Sequence, residues 1–445
     1  MTKNVRSLSL LKKTSRQTSH PGGDAQGVVE YVSRHHFPQT LIKLSVILRS
    51  RLNTGARTVV AAMEAFNEVY DNALGELPCP NTIDTWVRKC GLDTYNGNAL
   101  EIGSRHYCEI MDESMMIGSN KLVLTLAAPS RHSGRPLSHG DVSVIGIDTA
   151  ESFNARRIYR SARRCAEKVG HAPDYVITDN ATIMKKGISD AGFRHHADIS
   201  HSLGMFLERT YKNEADFMAY CKRMSNAQFQ HNMRRTAYLL PPRQRTVARF
   251  INLGSWVRWS LRVMEAFPRL QEAEKEALGF VPEYASLVEE LSEVMSCVRF
   301  IENECKQNGL SKHSLRTCVR HLRTTIMQGS QRMRQLAVSI ANFLEKEAAW
   351  LREDEIHNNS SDIIESAFGI YKGRKSPNKL YGVTSMVLML PLFGKLAKTK
   401  TAETYDFKQR LETVKVQDIR KWEKQHLPDN LVAKRVKILS ETVGF

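Results

Sequence analysis

The spacing of apolar residues changes along the chain. Between positions 38 and 92 they recur at helical spacing in short blocks, at 40–51, 56–70 and 82–89. The turn Asn53-Thr54-Gly55 and the stop Pro78-Cys79-Pro80 separate these blocks; Asn81 offers an N-cap for the third and Gly91 its end. Beyond position 100 the blocks become short and β-rich, at 107–112, 121–128 and 142–148, with Gly, Asn, Ser and Pro between them. This predicts three antiparallel strands in a meander. A helix is expected over 154–169, a buried strand over 175–179, a helix over 181–191 and a strand over 193–198. From 202 to 352 the pattern is almost wholly helical, interrupted at Pro241-Pro242 and Pro268; Leu287, Leu291, Met295 and Val298 mark a buried face. A helix over 361–371, an apolar helix over 384–396 and a Lys-rich helical tail complete the chain.

The order βββαβαβ predicts an α/β fold of the RNase H-like kind, a mixed sheet flanked by helices. The all-helical stretch 202–352 then reads as an insertion between the two parts of a core, 100–201 and 353–398, with 399–445 as a basic helical tail. The N-terminal blocks, 38–95, describe a helix-turn-helix domain whose last helix presents Asn81, Thr82, Asp84, Thr85, Arg88 and Lys89 to a major groove while Ile83, Trp86 and Val87 pack inward. A plain three-helix packing module accounts for the same pattern.

Composition narrows the class of partner. A chain of 445 residues, 42% hydrophobic, can bury more than one core. Its 64 Lys and Arg against 47 Asp and Glu give a net charge of +17, which favours a polyanionic partner. Nucleic acid is foremost, although ribosomal, chromatin-bound and membrane-surface proteins share the property. Lys3, Arg6, Lys12, Lys13 and Arg16 make 1–25 a disordered basic arm. The eight cysteines contain no CxxC pair and read as reduced packing residues of a cytosolic protein, excluding a zinc site or disulfide framework. Leu8, Leu10 and Leu11 are too interrupted for a signal peptide, and no run approaches the roughly 20 apolar residues of a membrane span, so a soluble protein is expected.

Three acids stand where this topology assembles a site. Cutting DNA needs an activated oxygen nucleophile and a stabilised leaving oxygen, which two Mg²⁺ ions about 3.5–4 Å apart supply through carboxylate ligands. Asp112 ends the first strand on the pleat face of Cys108 and Ile110; Asp179 ends the fourth; Glu365 lies on the helix after the insertion, whose inward face is Ile364, Phe368 and Tyr371. Each has an ordinary alternative as a turn or solvated acid. Glu109 and Glu113 beside Asp112, Asp362 one turn before Glu365, and above all Asp148 at the end of the third strand compete with them.

The segments 111–121 (MDESMMIGSNK), 176–180 (VITDN), 198–201 (DISH) and 364–372 (IESAFGIYK) resemble the blocks of DDE-type bacterial insertion-sequence transposases, and 80–92 (PNTIDTWVRKCGL) is similar to their helix-turn-helix. The resemblance spans about 40–395, and the insertion matches only in kind. It implies metal-dependent cleavage at element ends and strand transfer into target DNA, with Asp112, Asp179 and Glu365 as metal ligands, Mg²⁺ as cofactor and Mn²⁺ as substitute. It implies His201, three residues after Asp198, near the scissile phosphate; the same pair could simply cap a helix. Lys372 stands seven positions after Glu365, matching half of a signature in one transposase group, but Ser361 occupies the place of that group's arginine. Lys372, Arg374 and Lys375 are phosphate-contact candidates. Trp256 and Trp259, flanked by Arg258 and Arg262, are candidates for stacking on an unpaired base, with core packing the alternative. The implied partner is double-stranded DNA bound by at least a homodimer, in the cytoplasm at the nucleoid. The competing functions are an RNase H-fold nuclease that never joins strands and a noncatalytic DNA-binding regulator.

Overall fold

The computed structural model describes residues 30–443 apart from 53, 115, 243–249, 251–252, 375–379, 381 and 397–402. The basic arm 1–25, Lys375 and the start of the expected tail therefore lie outside the described residues. A five-stranded mixed sheet has the order β3-β2-β1-β4-β5. Strands β1 (Tyr107–Glu113), β2 (Lys121–Pro129) and β3 (Ser143–Ala150) form the predicted antiparallel meander. The short strands β4 (Val176–Thr178) and β5 (His195–Ala197) continue the sheet in parallel beyond β1. Parallel strands need crossovers. Helix α4 (Ala155–Val169) links β3 to β4, and α5 (Thr182–Asp190) links β4 to β5. Helix α4 begins where the Asn154 side chain accepts a hydrogen bond from Arg157 N at 3.0 Å, and it ends at Gly170, whose φ of 96° suits a residue without Cβ.

The alternation of β1 divides the sheet's surroundings. Met111, with Val123 and Val176, packs against Ile158 and Ala162 of α4 and Met184 and Ile188 of α5. Cys108 and Ile110 face the other way, into a larger core. That core also holds Ile42 and Val46 of α1 (Gln39–Arg51), Val59 and Met63 of α2 (Ala56–Val69), and Ile83 and Trp86 of α3 (Pro80–Ile102). The N-terminal helices thus share the core of the sheet and do not form the separate unit expected over 38–95.

Helix α3 corrects the sequence reading twice. Asn81 is not its cap: Cys79 is the N-cap residue and Pro80 opens the helix, where a missing N–H costs nothing. Gly91 does not end it, because the helix runs on to Ile102. A Cβ at Gly91 would lie 1.9 Å from the carbonyl oxygen of Leu388, so glycine is there for close backbone approach.

After the helical stretch come Asp362–Arg374 and the stretch expected as one apolar helix, which divides into a 3-10 turn, Ser385–Met389, and a short α-helix, Leu390–Leu396, with Pro391 in its first turn. After them, Phe407–Thr413 and Val416–His426 pack back on α3, with Arg410 paired to Asp93 at 2.7 Å and Tyr405 Oη 2.8 Å from Thr94 Oγ1; the final helix, Leu431–Val443, is exposed as the expected helical tail would be.

Between β5 and Asp362 the described residues are mostly helical, as expected, but the first of these helices starts earlier. It is α6 (Ile199–Tyr211), followed by α7 (Ala215–His231), α8 (Leu253–Ala266), α9 (Glu272–Leu278), α10 (Ala285–Asn308), α11 (Lys312–Thr324) and α12 (Gln331–Ala348). These helices bury a second core of their own, which includes Leu287, Leu291, Met295 and Val298. Among the described residues no helix is long and apolar enough to cross a membrane.

Candidate functional site at the carboxyl edge of the sheet

Helix α13 (Asp362–Arg374) lays Ile364 and Phe368 on the core face of β1, the face to which the alternation of Cys108 and Ile110 also assigns Asp112. Ile110 pairs with Ile177 in the parallel ladder, so two steps further Asp112 and Asp179 leave adjacent strands side by side. Their proximity registers in the protonation of Asp112, whose carboxyl is pushed up to about 7 by burial and then by the Asp179 carboxylate. Local bonds fix both acids: Asp112 Oδ1 accepts from Glu113 N at 2.7 Å, and Asp179 Oδ1 accepts from Ala181 N at 3.1 Å.

Glu365 stands in the first turn of α13, with its side chain 53% exposed at the mouth of the site. Its carboxyl is raised by burial and held back by His201, whose Nε2 lies 3.6 Å from Glu365 Oε1. His201 is itself held by Asp198, which accepts from His201 N at 2.7 Å and lies 2.9 Å from Nδ1. The hydrogen bond to Asp198 raises the imidazole to about 9. A protonated imidazole therefore stands between Asp198 and Glu365 at neutral pH.

Asp198 is fully buried. Its second oxygen accepts from Ser361 N at 2.6 Å and Ser361 Oγ at 3.0 Å, immediately ahead of α13. Burial alone would raise this carboxyl; the bonds from His201 and Ser361 hold it below its ordinary value. One side chain thus caps α6 and anchors the start of α13. Of the two readings of the 198–201 pair, the cap is present, and the same pair also brings His201 beside Glu365.

The competing acids point elsewhere. Asp148 pairs across β2 with Val123, in the row opposite to that of Leu124 and Asp112, and is bound by Ser161 and Arg164 of α4. Glu113 is paired with Lys121, and Asp362 with Lys306 at 2.5 Å. Glu109, on the Met111 face, is fully buried, and its carboxyl is pushed up to about 8 by burial. The roles of Glu109 and Ser361 went unread in sequence. A run of apolar residues around a lone acid marks the first, and a serine ahead of a helix start marks the second.

The expected DNA contacts fare unevenly. Arg88 reaches Ser385 Oγ at 3.3 Å and Glu423 at 4.0 Å, and Lys89 Nζ donates to Leu411 O at 3.2 Å. Arg88 and Lys89 are thus engaged by the chain's own C-terminal elements, and burial depresses the Lys89 ammonium. Arg374 also turns inward, donating to the carbonyl oxygens of Arg49 and Ser50 at 3.3 and 3.0 Å. Lys372 lies half-buried over the Phe368 ring at 5.6 Å. Trp256 is 2% exposed in the helical core, and Trp259 Nε1 donates to Leu239 O at 2.9 Å. The pair belongs to the packing face of α8, which corrects the base-stacking expectation for Trp256 and commits Trp259 to a carbonyl.

Among the described residues no three His, Cys, Asp or Glu side chains already form a group that could hold a metal ion. The donor chemistry fits a hard divalent cation even so. Asp112 and Asp179 are oxygen donors at neighbouring strand ends, and their mutual repulsion, with the burial that raises Asp112, is what a cation between them would relieve. A scan against protein-family models and a search of curated proteins both found no match for this chain.

Proposed function

We propose that the chain is a magnesium-dependent DNA transposase of the DDE type on an RNase H-like core, which cleaves DNA at element ends and transfers the freed strand into target DNA. The observation that carries this reading is the shared electrostatic environment of Asp112, Asp179, Glu365 and His201, drawn from β1, β4, α13 and α6. The strand order β3-β2-β1-β4-β5 and its connections support the fold assignment.

Asp112 and Asp179 would hold one Mg²⁺ ion, and Asp112 with Glu365 a second. Bound there, the ions supply an activated water or 3′-hydroxyl and absorb charge on the leaving oxygen. The protein's own groups position and screen. His201, charged through Asp198, offers Nε2–H and a positive charge to a phosphate oxygen beside Glu365. The three carboxylates contribute no covalent bond, so no enzyme-linked intermediate forms. Double-stranded DNA ends are the substrate, met by at least two copies of the chain in the cytoplasm.

Incubation with Mg²⁺ or Mn²⁺ and a plasmid carrying the flanking ends of its own element tests this. Cleavage and joining by the wild type, with loss of both in Asp112→Asn, Asp179→Asn and Glu365→Gln, is expected. Cleavage without joined product points to a nuclease, and DNA binding without cleavage to a regulator; either outcome overturns the transposase reading.

A further inference from the structure

Beside the edge strand β5, a cleft of about 770 Å³ opens between α5, α6 and α12. Its lining begins at Asn180, one residue after Asp179, so the cleft adjoins the carboxylate edge. Four cations line it: Lys185 and Lys186 from α5, Arg209 from α6 and Lys346 from α12. Lys186 pairs with Asp190 at 3.4 Å, whereas Lys185, Arg209 and Lys346 have no carboxylate at ion-pair distance among the described residues. The one acid in the lining, Glu347, is already engaged, its Oε2 lying 2.6 Å from Nδ1 of the buried His196.

Two aromatic rings share this lining. Phe206 and Phe343 meet edge to face, centroids 5.6 Å apart, and both pack against the helical core while remaining half-buried. Unpaired cations beside accessible aromatic faces suit a nucleic acid strand, whose phosphates take the charges and whose unpaired bases take the rings. The volume falls within the ~300–1,000 Å³ of ligand-sized clefts, room for a short stretch of one strand but not for a base-paired segment.

We propose that this cleft binds single-stranded DNA, holding the strand beside the carboxylates once it is parted from its complement. The proposal rests on the reading of the Asp112 edge as a DNA-cutting site and adds the form of the substrate next to it. Lys185, Arg209 and Lys346 carry the phosphates; Phe206 and Phe343 carry the bases.

The test uses the full chain and two fluorescent probes, a 20-nucleotide oligo(dT) and a hairpin duplex with the same number of phosphates. In Lys185→Ala/Arg209→Ala/Lys346→Ala, all exposed positions, oligo(dT) binding should fall at least roughly tenfold, with the salt dependence of log K shallower by about 2, while duplex binding changes little. Phe206→Leu/Phe343→Leu should weaken oligo(dT) roughly fivefold or more with the salt slope kept. Unchanged oligo(dT) binding in the triple variant overturns the cleft assignment. Equal loss of both probes overturns the single-strand part, since the cations would then be a general basic surface. Plasmid cleavage by the wild type is read in parallel. Cleft-dependent oligo(dT) binding without cleavage sinks the transposase reading and leaves the cleft; cleavage with cleft-independent binding sinks only the cleft.

Discussion

Glu109 keeps its proton at neutral pH because burial moves its carboxyl from 4.5 to about 8. The unfolded chain releases that proton near pH 4.5 and the folded chain near 8, so stability falls as pH rises between the two, by an amount on the order of a few kcal/mol. Glu109→Gln removes this dependence, and melting temperatures measured from pH 5 to 9 should decline less in the variant, with a net gain above pH 8. His201 has the opposite origin. An imidazole raised from 6.5 to about 9 contributes stability that is complete below 6.5 and lost as pH climbs through 9. Asp198→Asn should return the His201 titration, followed by NMR, towards 6.5 and cost about 3 kcal/mol or more by breaking a buried charged network. At this scale the sequence was most legible where acids stand at element boundaries: Asp112 and Asp179 at strand ends and Glu365 near a helix start were singled out from topology and motif context together. Glu109 was not, because alternation shows that it faces away from the site but not that α4 and α5 seal that side. Trp256 and Trp259 were open to two readings for the same reason, since a helix period gives a face and not what covers it.

Gly91 carries the corresponding lesson for an element. Glycine near a predicted helix end reads as a terminator, yet α3 continues past it because the backbone at Leu388 packs directly on the helix. Gly91→Ala leaves helix propensity improved and packing impossible without a shift, and overpacking of this kind costs about 3 kcal/mol or more. Urea unfolding should show a lower midpoint with an unchanged slope. Strands β1–β3 were legible because each is long enough to show alternation; β4 and β5, three residues each, were placed by the helices between them and by burial. The contacts of Arg88 and Lys89 were not legible because the elements that engage them lie some 300 residues later, at Ser385, Leu411 and Glu423.

Two large cores make up most of the molecule, and Trp350 packs against both. Its ring stacks on His196 at 4.3 Å and meets Tyr175 and His357 edgewise, while Arg194 lies 5.1 Å from its centroid. Trp350→Ala should cost about 3 kcal/mol and loosen the joint between the cores, so calorimetry should resolve two transitions where the parent shows one. The helical stretch buries a core of its own, whereas at the N-terminus a helical period concealed a core shared with strands far along the chain. The bond from Ser361 to Asp198 closes a loop whose ends are 163 residues apart. Closure entropy grows only logarithmically, so doubling such a loop would cost only about 0.6 kcal/mol more. Loops within the helical unit can therefore change length at little cost in closure entropy, provided Trp350, Glu347, Lys306 and the bond to Asp198 keep their contacts: the fold has a socket there, and Asp198 is its latch.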